Sequence, residues 1–133
     1  ERGQRELTEA FDLTAGNDRM TLTLALSYGS RWEITEAVRQ IADDVRAGHM
    51  DPCDVTEQTV ADALLTRGLP DPDLLIRTAG EMRLSNFLLW QVAYTELFVT
   101  DKLWPDFRRD ELYRAVRSYQ DRDRRYGRLA DDG

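Results

Sequence analysis

Two arginines, Arg77 and Arg83, flank Glu81, and Ser85-Asn86 follows directly. Arginine's planar fork matches phosphate oxygens better than a lysine ammonium does. The apolar run Leu74 to Ile76 reads as a short buried strand that stops at Arg77. Ser and Asn are strong helix N-cap residues, and the apolar stretch Phe87 to Tyr94 reads as a helix buried on most sides. A helix start favours anions, and ligands of open parallel sheets sit past the carboxyl ends of strands. Together these groups suit a phosphate or a diphosphate. A second reading stands beside this one: Arg77 and Arg83 pair with Glu81, Asp73 or Asp71, and Ser85 is an ordinary cap. The pattern is not a Walker loop, and no Gly-x-Gly-x-x-Gly occurs.

Other chemistry is sparse. His49 is the one histidine and follows Gly48 in a helix-ending loop, which reads as surface. Cys53 is the one cysteine, so no internal disulfide can form, and beside Pro52 it reads as an incidental loop thiol. No Ser-His-Asp or Cys-His constellation is available. The net charge of −7 argues against a general nucleic-acid role. Lys102 is the sole lysine, and arginines crowd the last helix from Arg108 to Arg128, interleaved with Asp110, Glu111, Asp121 and Asp123. That pattern reads as a solvated, ion-paired face. With 41% hydrophobic and 32% charged residues over 133 positions, the composition is that of one globular domain with a modest core. No apolar run approaches a membrane span, and no signal-peptide pattern appears.

The elements that must position these groups alternate. Helical spacing predicts helices over about 3–15, 31–47, 54–66, 87–94 and 108–126. The third of these is opened by Asp54 and Glu57 as a capping box. Strict alternation from Met20 to Tyr28 predicts a strand, with Leu22, Leu24, Leu26 and Tyr28 on one face. Further strands are predicted at Leu74 to Ile76 and Glu96 to Thr100, and Trp104-Pro105-Asp106-Phe107 reads as a turn with aromatic anchors. Strands separated by helices imply an α/β fold: a largely parallel sheet flanked by helices.

The string DLLIRTAGEMRLSNFLLWQVAYTELF, then WPDF and a terminal RDRRYG, resembles the cis-prenyltransferases. Within that family it looks most like the bacterial undecaprenyl diphosphate synthases. Their pattern runs roughly DLxIRTxGExRxSNFLxWQxxYxE, WPDF, and a late Arg-x-Gly. An upstream block from Leu24 to Arg31 resembles the family's Asn-Tyr-Gly-Gly-Arg segment. The matched blocks span about residues 20–127. The family's Met-Asp-Gly-Asn-Gly-Arg segment, which supplies its essential aspartate, does not occur here. The expectation is that residues 1–133 are a single partial domain, the C-terminal portion of such an enzyme, with no catalytic residue of its own and inactive alone.

The resemblance implies an isoprenyl transferase that condenses isopentenyl diphosphate onto an allylic diphosphate, giving a long polyprenyl diphosphate such as undecaprenyl diphosphate, the cell wall precursor. Arg77, Arg83 and Ser85 match the family's isopentenyl diphosphate ligands, and Glu81 the acidic residue of the same loop. Glu96 matches the glutamate tied to Mg2+ and diphosphate; its other reading is an ion pair at a strand start. Arg125 and Gly127 match the Arg-x-Gly that reaches a neighbour's site in the family's homodimers. A cytoplasmic location is implied, with peripheral membrane contact at product release. The other readings are a non-catalytic partner subunit and an unrelated anion-binding α/β module. Three departures stand out. Met82 occupies a position that is often histidine. Ser27 replaces the Asn before Tyr28-Gly29, and Ser30 replaces the second Gly. Trp90, Phe98, Trp104 and Phe107 match family aromatics and read as core or dimer packing, while Met20 aligns near the closed end of the product tunnel or fills the core.

Overall fold

A computed structural model describes residues 2–122. Helix α1 runs Arg2–Thr14, α2 Ser30–Arg46, α3 Glu57–Ala63 and α4 Arg109–Gln120, with strands β1 at Leu74–Arg77 and β2 at Glu96–Val99. The two strands pair in parallel, Leu74 opposite Glu96 and Arg77 opposite Val99. Helix α2 packs against α3, and α4 against β2. The chain is thus α/β, as its alternating pattern implies. Among the described residues no helix is long and apolar enough to cross a membrane.

Helix α2 forms where its apolar spacing says it should. Ala37 is buried on its inner face, against the α3 side where Leu64 is also buried. Helix α3 is shorter than its sequence suggests. Its cap is not Asp54 but Thr56, whose hydroxyl accepts from the Thr59 N–H while the Thr59 hydroxyl accepts from the Thr56 N–H. Asp51 instead caps a separate 3-10 turn, Pro52–Asp54, through the Cys53 N–H. Leu64 adopts an extended conformation and ends the helix. Cys53 is exposed, and the His49 side chain stands at the surface with Asp44 3.7 Å away.

Two expected elements are absent. Residues 20–28 form no strand, and Met20, Leu22, Leu24 and Leu26 are all exposed, Met20 at 79%. A strand exists only where a neighbour completes its ladder. Among the described residues the sheet holds β1 and β2 and nothing else. Met20 therefore fills no core here. Residues 85–94 are a succession of turns rather than a helix. Ser85, Asn86 and Leu88 take positive φ of 51°, 63° and 46°, a left-handed conformation that breaks the helical ladder. Of the four matched aromatics, Trp90, Phe98 and Phe107 are half-buried, whereas Trp104 is 74% exposed and stacks on Phe107 at 6.2 Å.

Candidate functional site

Arg77 closes β1 and lines a cavity of about 220 Å³ with Leu75, Ile76, Glu81, Arg83, Leu84, Phe87 and Leu97. The structure therefore brings Arg77, Glu81 and Arg83 together at the carboxyl end of the sheet. Ser85 joins them, because an Arg77 guanidinium NH2 donates to its Oγ at 3.2 Å. The Arg77 Nε–H is buried and has no partner. A buried donor left unpaired costs on the order of 1–3 kcal/mol, more when charged, so such a group marks a place for an acceptor. Arg83 is exposed and ion-paired with Glu81. The ion-pair reading is thus realised for Arg83 with Glu81, while the Arg77 Nε–H has no partner among the described residues.

The geometry behind these side chains is backbone-built. The Thr100 N–H donates to the Arg77 carbonyl at 2.9 Å, extending the parallel ladder past β2. The chain then turns through Ala79 and Gly80, both at positive φ, 62° and 65°. Glycine suits position 80 for that φ; a Cβ there would lie 2.9 Å from Asp101 Oδ1, the tip of an exposed side chain that can swing aside.

Among the described residues no helix N-terminus lines the cavity, contrary to the Ser85-Asn86 cap expectation. Asn86 serves a different helix. Its Oδ1 accepts from the Arg31 N–H at 2.8 Å and its carbonyl from the Ser30 N–H at 2.9 Å, so it caps α2 from across the fold. In return, Ser30 Oγ accepts from the Leu89 N–H at 2.9 Å. Those tertiary bonds replace the intrahelical ones that residues 86–89 would have made. Ser30 thus has a specific task where the family carries glycine.

Sequence reasoning missed Glu33. It is 1% exposed. It accepts from the Tyr28 hydroxyl, from the Leu65 N–H at 2.9 Å and from Gln91 Nε2 at 3.3 Å, and Gln91 also donates to Thr66 Oγ1 at 2.8 Å. A buried carboxylate persists only with such donors around it. The available signal was its place, one turn into α2, on the buried face with Ser30 and Ala37. Tyr28 meets Phe87 edge to face at 5.7 Å, which joins this polar cluster to the cavity wall.

Glu96 lies apart from the arginines. It opens β2 opposite Leu74, whereas Arg77 closes β1, about 10 Å further along the strands. Its carboxylate pairs with Arg122 at 2.5 Å. A magnesium ion takes six oxygens, of which the protein usually supplies one or two carboxylates and substrate phosphates and waters the rest. Among the described residues no three His, Cys, Asp or Glu side chains gather to hold a metal. Glu96 could therefore contribute one carboxylate to Mg2+, with the remaining oxygens coming from diphosphate and water. Arg125 and Gly127 lie outside the described residues.

The model of the family described as "Putative undecaprenyl diphosphate synthase" matches residues 1–127. The chain belongs to this prenyltransferase family. It is 53% identical over 128 residues to an isoprenyl transferase of Porphyromonas gingivalis, covering 96% of this chain and 50% of that protein. It is 50% identical over 124 residues to the ditrans,polycis-undecaprenyl-diphosphate synthase, (2E,6E)-farnesyl-diphosphate specific, of Haemophilus ducreyi, covering 93% and 51%. Among solved structures, the lavandulyl diphosphate synthase of Lavandula x intermedia, in complex with dimethylallyl diphosphate, superposes with a TM-score of 0.82. Its identity is 46%, over 91% of this chain and 52% of that one. The chain spans about half the length of the curated relatives it matches.

Proposed function

We propose that this chain is the C-terminal part of a cis-prenyltransferase and supplies its isopentenyl diphosphate site. The observation that carries this reading is the Arg77 guanidinium. Its Nε–H is buried and unpaired, while its other arm holds Ser85 beside Arg83 in the cavity at the end of β1. A diphosphate oxygen is the acceptor that best satisfies such a fork. Arg83, exposed and paired with Glu81, would close on the second phosphate, and Glu81 would hold it ready until then. Family membership and the names of the relatives favour isopentenyl and allylic diphosphates as substrates and a polyprenyl diphosphate as product.

In the condensation, the allylic diphosphate departs, positive charge develops on the allylic carbon, and the homoallylic double bond attacks it. Loss of a proton from the new cation then sets the double bond. This chain's residues would hold the nucleophilic partner by its diphosphate and orient it, which is where positioning lowers the barrier. No nucleophilic side chain is required; the Ser85 hydroxyl serves here as a partner of Arg77. In this reading the chain alone binds isopentenyl diphosphate but elongates nothing. Homodimerisation and peripheral membrane contact belong to the same proposal.

The test is calorimetric titration of the chain with isopentenyl diphosphate. Arg77→Ala is expected to weaken binding tenfold to a hundredfold, the worth of a charged hydrogen bond of roughly 1.5–3 kcal/mol. Equal binding by the variant would sink the assignment. Elongation of an allylic diphosphate by the unaided chain would overturn the expectation that it is inactive.

A further inference from the structure

We infer that Thr100 and Glu111 are positioning residues for the arginine loop, which makes helix α4 part of the frame of the anion site. The inference rests on the diphosphate reading above. Thr100 is 7% exposed and directly follows β2. Its backbone touches both ends of the turn that leaves Arg77. Its N–H donates to the Arg77 carbonyl at 2.9 Å, and its carbonyl accepts from the Gly80 N–H at 2.9 Å. Its hydroxyl accepts from the Lys102 N–H at 3.3 Å, and the Lys102 carbonyl accepts from the Ala79 N–H at 2.8 Å. The same hydroxyl donates to Glu111 Oε2 at 3.2 Å. Glu111 sits in the first turn of α4, and its carboxylate is also engaged by Arg114 at 3.0 Å.

Helix α4 runs antiparallel to β2 and is pinned near both ends of it. Glu111 holds the carboxyl end through Thr100, and Arg122, just past the helix, holds the opening residue Glu96. The clasp has a definite load. Ala79 is held at positive φ, a conformation that a residue with a Cβ keeps only when its surroundings impose it. Gly80 follows at positive φ, 65°, a conformation glycine adopts without strain. The Ala79-Gly80 turn sets the direction in which Glu81 and Arg83 leave the strand, and thereby their distance from Arg77. None of the clasp residues lines the cavity, so they act on the anion only through the loop.

Inorganic pyrophosphate is the probe, titrated by calorimetry into the chain and four variants. Thr100→Val keeps the shape and deletes the hydroxyl; it is expected to weaken pyrophosphate about tenfold. Thr100→Ser restores the hydroxyl and is expected to bind within about twofold of the parent. Glu111→Gln should weaken binding in the direction of Thr100→Val. Amide hydrogen exchange should quicken at Ala79 and Gly80 in Thr100→Val and Glu111→Gln, while β1 and β2 stay protected. Should Thr100→Val lose its cooperative unfolding, Glu111→Gln decides, since the amide keeps the size and shape of the largely buried side chain and removes only its charge. Parent-like binding and exchange in Thr100→Val and Glu111→Gln, with Arg77→Ala defective, would overturn the positioning role alone. Parent-like binding by Arg77→Ala would instead overturn the diphosphate reading beneath it.

Discussion

The start of α2 and the stretch just before it, residues 20–26, are neighbours in the chain and opposites in the fold. Around Ser30 and Glu33, polar groups from three stretches of sequence meet and satisfy one another, and both side chains are fully buried. Across residues 20–26, four large apolar side chains stand in solvent. Local composition would have put them the other way round. The difference is one of partners. A carboxylate can be buried by a few well-placed donors that lie on one small piece of structure. An extended segment needs a whole neighbouring strand for its backbone and an apolar layer for its face. A contiguous exposed apolar stripe of this kind is uncommon on a monomer surface.

Three perturbations bear on that contrast. The largest effect should come from Glu33→Ala. It leaves the Leu65 N–H and Gln91 without their acceptor in a buried place, and is expected to cost about 3 kcal/mol or more. That is a large share of a small domain's stability. Urea denaturation measures it, and a loss under about 1 kcal/mol would mean that the cluster does not hold α2 to the loop.

Tyr28→Phe should have a smaller effect and a pH signature. Burial, then the hydrogen bond to Glu33, pushes the Tyr28 phenol above its ordinary value of 10.0. A raised folded-state value favours the protonated phenol. Its contribution is therefore complete below pH 10 and is lost as pH rises through the folded-state value. The phenylalanine variant is expected to lose about 1 kcal/mol at neutral pH, discounted for the partial exposure of Tyr28, and to show a shallower alkaline decline. Parallel alkaline unfolding of the two proteins would remove Tyr28 as its source.

The smallest effect is expected from Leu22→Ser with Leu26→Ser. Both leucines are exposed, so stability should stay within about 0.5 kcal/mol. A loss above about 2 kcal/mol would show that the stripe is covered in solution, and the contrast with the Glu33 cluster would collapse.

The sequence by itself determined the family, the α/β class, helices α1, α2 and α4, and both strands of the sheet. Each of these is encoded locally, by apolar spacing or by a long motif; α2, α4 and the two strands pack on partners within the chain, whereas Phe11 and Leu13 of α1 stand exposed. The grouping of Arg77, Glu81, Arg83 and Ser85 was legible for the same reason: they lie close in sequence, at the end of an apolar strand. Only the tertiary structure decided how residues 85–94 run. Their composition asks for a helix, yet Asn86 and Leu89 bond to the start of α2, more than fifty residues earlier. Asn86 alone satisfies two otherwise orphaned helix donors, the Ser30 and Arg31 N–H groups. Only the tertiary structure exposed Glu33 and Thr100, because no local pattern distinguishes a buried polar hub from a solvated one. It alone separated Glu96 from the arginines, since position along a strand depends on the register of pairing, and register is a property of two segments rather than one.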